Sequence, residues 1–207
     1  MRKGTPEQIE KKREEIINAC EQLYRTMSFS EITLKEIGSI TSFSRPTIYN
    51  YFCTKEEIFL ALFRREYDLW NEELESILHG NEHLTKTEMA QRIAASLAGR
   101  KQLLKLLSMN HYDMEANSRQ EQLTQFKRSY GRSLHLLSQL VLKFCPEKTP
   151  LDVQTILYIF FPFMFGIYPY TEVTEKQRIG MKEAEIPFVY QTAYELICNC
   201  LIRLLGS

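Results

Sequence analysis

Glycine is scarce in this chain, eight residues in 207, and few of the eight stand beside turn-forming residues. No convincing alternation of apolar and polar positions accompanies them, which argues against a sheet built from hairpins. Cysteine is sparse too. Cys20, Cys53, Cys145, Cys198 and Cys200 make an odd number, and no C-x-x-C occurs. A disulfide framework or structural zinc site is therefore not expected, and a reducing cytosol suits the chain better. Net charge is missing, with 26 basic residues against 26 acidic ones, so no overall basic field advertises nucleic acid. Residues 1–65 hold 11 basic against 9 acidic residues, an asymmetry too small to argue from. The opening MRKGTPEQIEKKR has no apolar core, so no secretory signal is expected. The most apolar run, residues 156–168, is shorter than the ~20 residues of a spanning helix and contains Pro162, so no membrane is expected. There is no G-x-S-x-G and no phosphate-cradling glycine loop, which leaves no enzymatic chemistry in view and no cofactor to expect.

What the chain does have is helix starts. Thr5-Pro6-Glu7-Gln8 is a capping box with proline at the first helical position. Further boxes stand at Thr33…Glu36, Thr54…Glu57, Thr85…Glu88 and Ser118…Glu121, and Thr149-Pro150 opens another helix. In each box a hydroxyl accepts from an orphan backbone N–H while the acid reaches back. The fold is expected to be all-α. Ile9, Arg13, Ile16, Ile17, Cys20, Leu23, Tyr24 and Met27 keep the i, i+3, i+4, i+7 spacing of a first helix. Arg13 is its one polar member, with a stem able to lie over apolar surface. Short helices follow over 33–40, with Leu34 and Ile37 inward, and over 44–51, joined by the turn 41–44. That is a helix-turn-helix outline. Thr54 begins a long helix ending near His79-Gly80, where glycine suits a left-handed residue. Residues 85–110, 118–144, 150–168 and 187–205 read as further helices, and 170–186 as the longest loop. The expected division is a helix-turn-helix domain over 1–54 and a larger helical domain over 55–207.

Residues 44–52, SRPTIYNYF, set three aromatic rings among polar groups. On a helix at ~100° per residue, Ile48 and Phe52 form one inward stripe. Pro46, Thr47 and Asn50 fall on the far side, Tyr49 and Tyr51 flank the stripe, and Arg45 projects at the amino-terminal tip. Such an outer face suits the DNA major groove, which recognition helices enter by their amino-terminal residues. Arg45 would read guanine, Asn50 adenine, and Thr47 a base or thymine methyl. Tyr49, Tyr51, Thr33 and Lys55 would hold phosphates, with Lys35 as a weaker charge contact.

These residues carry a resemblance. Thr33-Leu34-Lys35-Glu36-Ile37, then Phe43 through Phe52, then Thr54-Lys55-Glu56-Glu57-Ile58, resemble the DNA-binding segment of the TetR (tetracycline-repressor) family of regulators over residues 8–65. Thr41-Ser42 stand where the family has alanine-glycine, which is expected to strain the turn if it needs a left-handed residue. Pro46 stands where glycine is frequent and removes one N–H. The resemblance implies a homodimer paired through the last two helices, a small-molecule pocket in the carboxyl-terminal domain, and release of a palindromic operator when an effector binds. A DNA-binding regulator controlled by a protein partner, without a pocket, is the alternative.

In the carboxyl-terminal half, the helix from Pro150 is apolar nearly all round, so several of its faces need cover, and Pro162 should kink it. Phe161, Met164, Phe165 and Tyr168 on this helix are pocket candidates, as are Phe126 and Tyr130, four apart on one face of the helix before. Phe188, Tyr194, Ile197, Leu201 and Leu204 are dimer-interface candidates. In MNHYDMEAN, residues 109–117, His111, Asp113 and Glu115 alternate, but positions two apart diverge by ~200° on a helix, so no metal is expected. This stretch is expected to be a polar connection, with His111 and Tyr112 able to orient a ligand. The effector is expected to be small and apolar or aromatic, and the protein cytoplasmic.

Overall fold

A computed structural model describes residues 5–109 and 111–206. Among them the regular structure is entirely helical, as expected. The order is α1 (Pro6–Tyr24), α2 (Leu34–Ser39), α3 (Arg45–Ile48), α4 (Lys55–His79), α5 (Lys86–Ala98) and α6 (Lys101–Leu107). There follow α7 (His111–Ala116), α8 (Gln120–Phe144), α9 (Pro150–Thr171), α10 (Glu175–Glu183) and α11 (Ala193–Leu205).

Local chemistry explains most of the starts. Thr5 and Gln8, Thr85 and Glu88, and Thr149 and Asp152 form reciprocal capping boxes, with Pro6 and Pro150 in the first turn of α1 and α9. Thr174 caps α10, and Thr192 forms a box with Glu195 at α11, two signals of the same kind that the sequence reading passed over. Three boxes differ from expectation. Thr33 caps α2, but the Glu36 carboxylate accepts from the Thr33 hydroxyl instead of its N–H. Ser118 donates to the Met114 carbonyl at 2.7 Å, so it closes α7 instead of capping α8. Thr54 does accept from the Glu57 N–H, at 3.2 Å, but the Glu57 carboxylate is committed elsewhere.

Several boundaries also moved. The helix expected over 85–110, whose last position lies outside the described residues, is instead the two helices α5 and α6, broken at Arg100 with φ −101° and ψ 61°. The supposed polar connection contains α7, and the supposed loop 170–186 contains α10. The last helix starts six residues later than expected, at Ala193, because Thr192 is the residue with a hydroxyl and an acid three positions on. Gly80 is not left-handed, since the positive-φ residues described are Glu185 and Gly206. Its need for glycine is steric, because a Cβ there would lie 2.6 Å from the Ser76 carbonyl oxygen.

The chain divides into two compact units, Met1–Arg65 with Asn110–Arg128, and Glu66–Met109 with Ser129–Ser207. This partition is discontinuous, whereas the sequence reading draws one boundary at 54/55. Helices α4 and α8 each contribute to both units. In the first unit, Ile16, Ile17 and Cys20 of α1 are buried, as are Ile37, Ile48 and Phe59. The Tyr24 and Phe29 rings meet Phe59 at 5.1 and 4.8 Å. In the second unit, α11 packs on α5 and α9, and α9 on α6. With 22 residues, α9 is longer than its most apolar run and is long and apolar enough to cross a membrane. Val153, Ile156, Phe160, Met164 and Ile167 nevertheless form a buried stripe in the packing, as a core helix of a globular domain does. Its opposite side leaves Leu151, Tyr158, Ile159 and Phe165 exposed.

One buried polar network ties α4 to α8 in the second unit. Asn71, with no exposed surface, donates to the Ser129 carbonyl at 3.0 Å and accepts from the Ser133 hydroxyl at 2.6 Å. Truncating it removes two buried bonds and leaves the Ser133 hydroxyl only its longer one, 3.3 Å, to the Ser129 carbonyl. Asn71→Ala is expected to lower unfolding free energy by about 1–3 kcal/mol, read from the urea midpoint at unchanged m-value.

Candidate nucleic-acid interface

The segment 44–52 folds as its pattern demands. Ile48 and Phe52 have no exposed surface, while Arg45, Pro46, Tyr49 and Asn50 face solvent. Helix α3 itself is a single turn. After it, N–H groups of Asn50 and Tyr51 donate three residues back, to Thr47 and Ile48, at 3.1 and 2.9 Å, which tightens the chain as helix ends commonly do. The Arg45 guanidinium donates to the Tyr49 hydroxyl at 3.2 Å. The two thereby present a joint cation and phenol on one edge. Thr47 is half-buried, and its hydroxyl is paired with that of Ser44 at 2.9 Å, so a base must compete with Ser44 for it. Tyr51 is half-buried beside Phe43, ring centres 6.5 Å apart.

The turn before α3 solves the missing-glycine problem without strain. Neither Thr41 nor Ser42 is left-handed. Instead the Ser42 N–H donates to the Glu15 carboxylate of α1 at 2.7 Å. That bond, helped by the Ser42 side chain, holds the Glu15 carboxyl below its usual range. Thr33 accepts from the N–H groups of Lys35 and Glu36 and caps α2, and Lys35 is exposed.

Lys55 has a different employment from the phosphate contact its position suggests. Its ammonium donates to the Phe29 and Ile32 carbonyls at 2.8 and 3.1 Å and stands 4.1 Å over the Phe29 ring. These contacts close the α1–α2 connection onto the start of α4. Three further polar residues of this unit were not singled out as site residues. Arg13 lies 4.5 Å over the Phe52 ring and donates to the Tyr51 carbonyl at 3.3 Å. Its place as the single polar residue in an apolar stripe was the visible signal. Glu57 has no exposed surface and binds Arg119 through Nε at 2.6 Å and Nη2 at 2.8 Å. Burial alone would raise the Glu57 carboxyl, but the bonds from Arg119 and the Cys53 N–H outweigh it and hold it low. No local pattern announces a partner 62 positions away.

The pocket candidates disperse. His111 and Tyr112 lie on α7 and Phe126 on the first turns of α8, all in the first unit, where the Phe63 ring is 5.4 Å from His111 and 4.8 Å from Phe126. In the second unit, Tyr130 and Phe161 do meet, edge to face at 5.3 Å. They line a cleft of about 550 Å³ between α8 and α9 with Leu134, Ser138, Val153, Gln154, Leu157 and Tyr158. Pro162 is also in its wall and has no N–H for the Tyr158 carbonyl four residues earlier. Met164 is fully buried, Phe165 is exposed and Tyr168 half-buried, and none of the three lines this cleft. Among the dimer candidates, Ile197 and Leu201 are buried inside the chain's own packing, because α11 turns that face to α5 and α9. Tyr194 is exposed, and Phe188 and Leu204 are half-buried. No cluster of three metal-ligating side chains occurs among the described residues.

Comparison with known proteins places this architecture. Residues 16–62 match the family model of bacterial regulatory proteins, tetR family, and residues 64–192 match the tetracyclin repressor-like C-terminal domain. No curated protein matches the chain. Solved structures share its fold. The fatty acid degradation regulator FadR of Bacillus halodurans has 17% identity and a TM-score of 0.60, with 100% of this chain and 97% of that one covered. FadR of Bacillus subtilis, in complex with stearoyl-CoA, has 17% identity and a TM-score of 0.60, covering 93% and 97%. FadR of Thermus thermophilus, in complex with lauroyl-CoA, has 19% identity and a TM-score of 0.58, covering 93% and 92%.

The geometry of Lys55 gives a prediction that separates its two readings. Lys55→Met is expected to destabilise the protein by about 1.5–3 kcal/mol, the worth of hydrogen bonds from a charged donor, while the salt dependence of DNA binding keeps its slope. A slope reduced by about one would instead mark a lost phosphate contact.

Proposed function

Because the chain belongs to the TetR family of DNA-binding transcription regulators, we propose that it acts as a homodimeric repressor of a palindromic operator, released by a small apolar effector. The observation that carries the reading is the partition of residues 44–52. Ile48 and Phe52 are wholly buried while Arg45, Tyr49 and Asn50 stand free of the core on the other side. Arg45 reads a guanine edge and Asn50 an adenine edge in the major groove. Two copies related by a twofold axis then require half-sites about 34–36 Å apart, or a multiple. Such a protein works in the cytoplasm, where the chromosome is.

The second copy docks on the outer stripe of α9, where Leu151, Thr155, Tyr158, Pro162 and Gly166 lie in line along the helix. Leu151 and Tyr158 are 71% and 74% exposed, an unusual cost for an apolar stripe in a lone subunit. Nothing lies within 4 Å of a Cβ added at Gly166, so a facing helix has room to approach. Tyr158 and Pro162 of this stripe also stand in the cleft wall, while the cleft residues Val153, Leu157 and Phe161 lie roughly a quarter turn or more around the same helix. An effector there touches the helix that carries the dimer surface. The lining supports an apolar body with few polar groups, Ser138, Gln154 and Tyr158 being the exceptions. The acyl-CoA complexes of the Bacillus subtilis and Thermus thermophilus FadR proteins make acyl chains the first class to test. To induce, the ligand has to favour the DNA-incompetent state over the competent one.

Selection of bound sequences from random DNA at physiological salt is expected to return an inverted repeat. Arg45→Ala should then cost about 1–3 kcal/mol at one position of each half-site and relax preference there; unchanged preference would remove Arg45 from base reading. Titration with lauroyl-CoA, stearoyl-CoA and aromatic acids is expected to weaken operator binding for at least one apolar class, and Phe161→Asp to abolish that response. If every apolar compound leaves operator affinity unchanged, control by a protein partner becomes the better account.

A further inference from the structure

The recognition segment ends in a set of bonds supplied from outside the helix-turn-helix. The Tyr51 carbonyl accepts from Arg13 at 3.3 Å and from Arg119 Nη2 at 3.5 Å. The Cys53 N–H donates to Glu57 at 2.8 Å. The same carboxylate takes the Arg119 N–H at 3.1 Å as well as the guanidinium. Thr54 donates to the Asn117 carbonyl at 2.9 Å, and Arg13 reaches Gln122 at 3.4 Å. Residues 117–122, at the junction of α7 and α8, therefore bind the backbone that leaves the recognition helix, from a stretch beyond the matched DNA-binding domain, residues 16–62. All these groups belong to one compact unit.

We propose that Arg119 is a positioning residue for operator recognition, which sets the attitude of residues 45–50 through Glu57 and the Tyr51 carbonyl without touching DNA. The inference rests on the DNA-reading role of that segment. A four-residue helix cannot hold its own direction, since a single turn is the costly nucleus of a helix. Ile48 and Phe52 anchor its inner face, but apolar contacts are non-directional. Direction comes from hydrogen bonds at the exit. A guanidinium on a buried carboxylate has the fixed fork geometry for this, which an ammonium lacks. Glu57 supplies the buried half, and Arg13, stacked on Phe52, braces the same carbonyl from α1.

Arg119 is half exposed, so a phosphate contact is the competing role, and the experiment separates the two. Full-length wild type, Arg119→Lys, Arg119→Met, Glu57→Gln and the Arg119→Met/Glu57→Gln double variant are titrated against the selected operator and a scrambled duplex over a range of salt, with thermal unfolding midpoints as the fold control. The positioning role expects both Arg119 variants to lose at least about tenfold in operator affinity while scrambled-DNA affinity and salt slope stay at wild-type values. The double variant should lose no more than the worse single one, since all break the same link. The charge-conserving Arg119→Lys keeps the test open if Arg119→Met does not fold. The proposal is overturned if both folded Arg119 variants bind operator like wild type. It is equally overturned if operator and scrambled affinities fall together, the slope drops by about one, and lysine restores binding. Wild type that selects no sequence would overturn the DNA reading itself and this inference with it, an outcome distinct from variants that bind a selected operator unchanged.

Discussion

A helix of one turn has no stability of its own, and α3 is one turn long. The rest of the amino-terminal unit follows from holding it. Its inner face is nailed down by Ile48 and Phe52, each without exposed surface and each contributing about 1.5–3 kcal/mol by burial. Its entry is braced by Glu15 on the Ser42 N–H, and its exit by Arg13 and Arg119 on the Tyr51 carbonyl. Everything inward is spent on holding, which leaves the outer groups to solvent. The same constraint explains Lys55. A cation at the amino end of α4 is well placed for a phosphate, but two carbonyls of the α1–α2 connection lie within reach and engage it.

Buried charge needs justification, because taking a carboxylate out of water is costly unless donors replace the water. Glu57 has four such donors, two backbone N–H groups and two guanidinium nitrogens. A leucine at this position would satisfy burial more simply. A carboxylate offers what leucine does not, a bond direction, and it is spent where a short helix needs one. Asn71 does similar work in the second unit, where its two bonds to Ser129 and Ser133 pin one register of α4 against α8.

Helix α9 shows how one apolar segment turns faces of three kinds to its surroundings. One stripe is core, buried against α6 and α11; a second lines the cleft with Tyr130; a third lies bare. Its uniform hydrophobicity made these faces indistinguishable in the sequence, because a helix apolar all round has no periodicity to read. That is why Phe161 is grouped with Met164, Phe165 and Tyr168 as a pocket candidate although it alone of the four lines the cleft, and why Leu151 and Tyr158, the most exposed of its large side chains, are not set apart. Helix α11 misled in the opposite way. Its apolar stripe at Ile197 and Leu201 is clear, but a stripe says that a face is covered and not by which chain.

What the sequence by itself determined is local: the all-helical fold, most helix starts, and the sidedness of SRPTIYNYF. Each depends on residues three or four positions apart, where a capping hydroxyl meets an N–H or two side chains share a face. Only the tertiary structure decided which distant groups complete those local units. It placed His111 and Phe126 with the DNA-reading unit, gave Lys55 to two loop carbonyls, and brought Arg119 to Glu57 across 62 positions. Such pairings leave no periodic trace in the chain, because they depend on how the helices pack and not on how any one of them repeats.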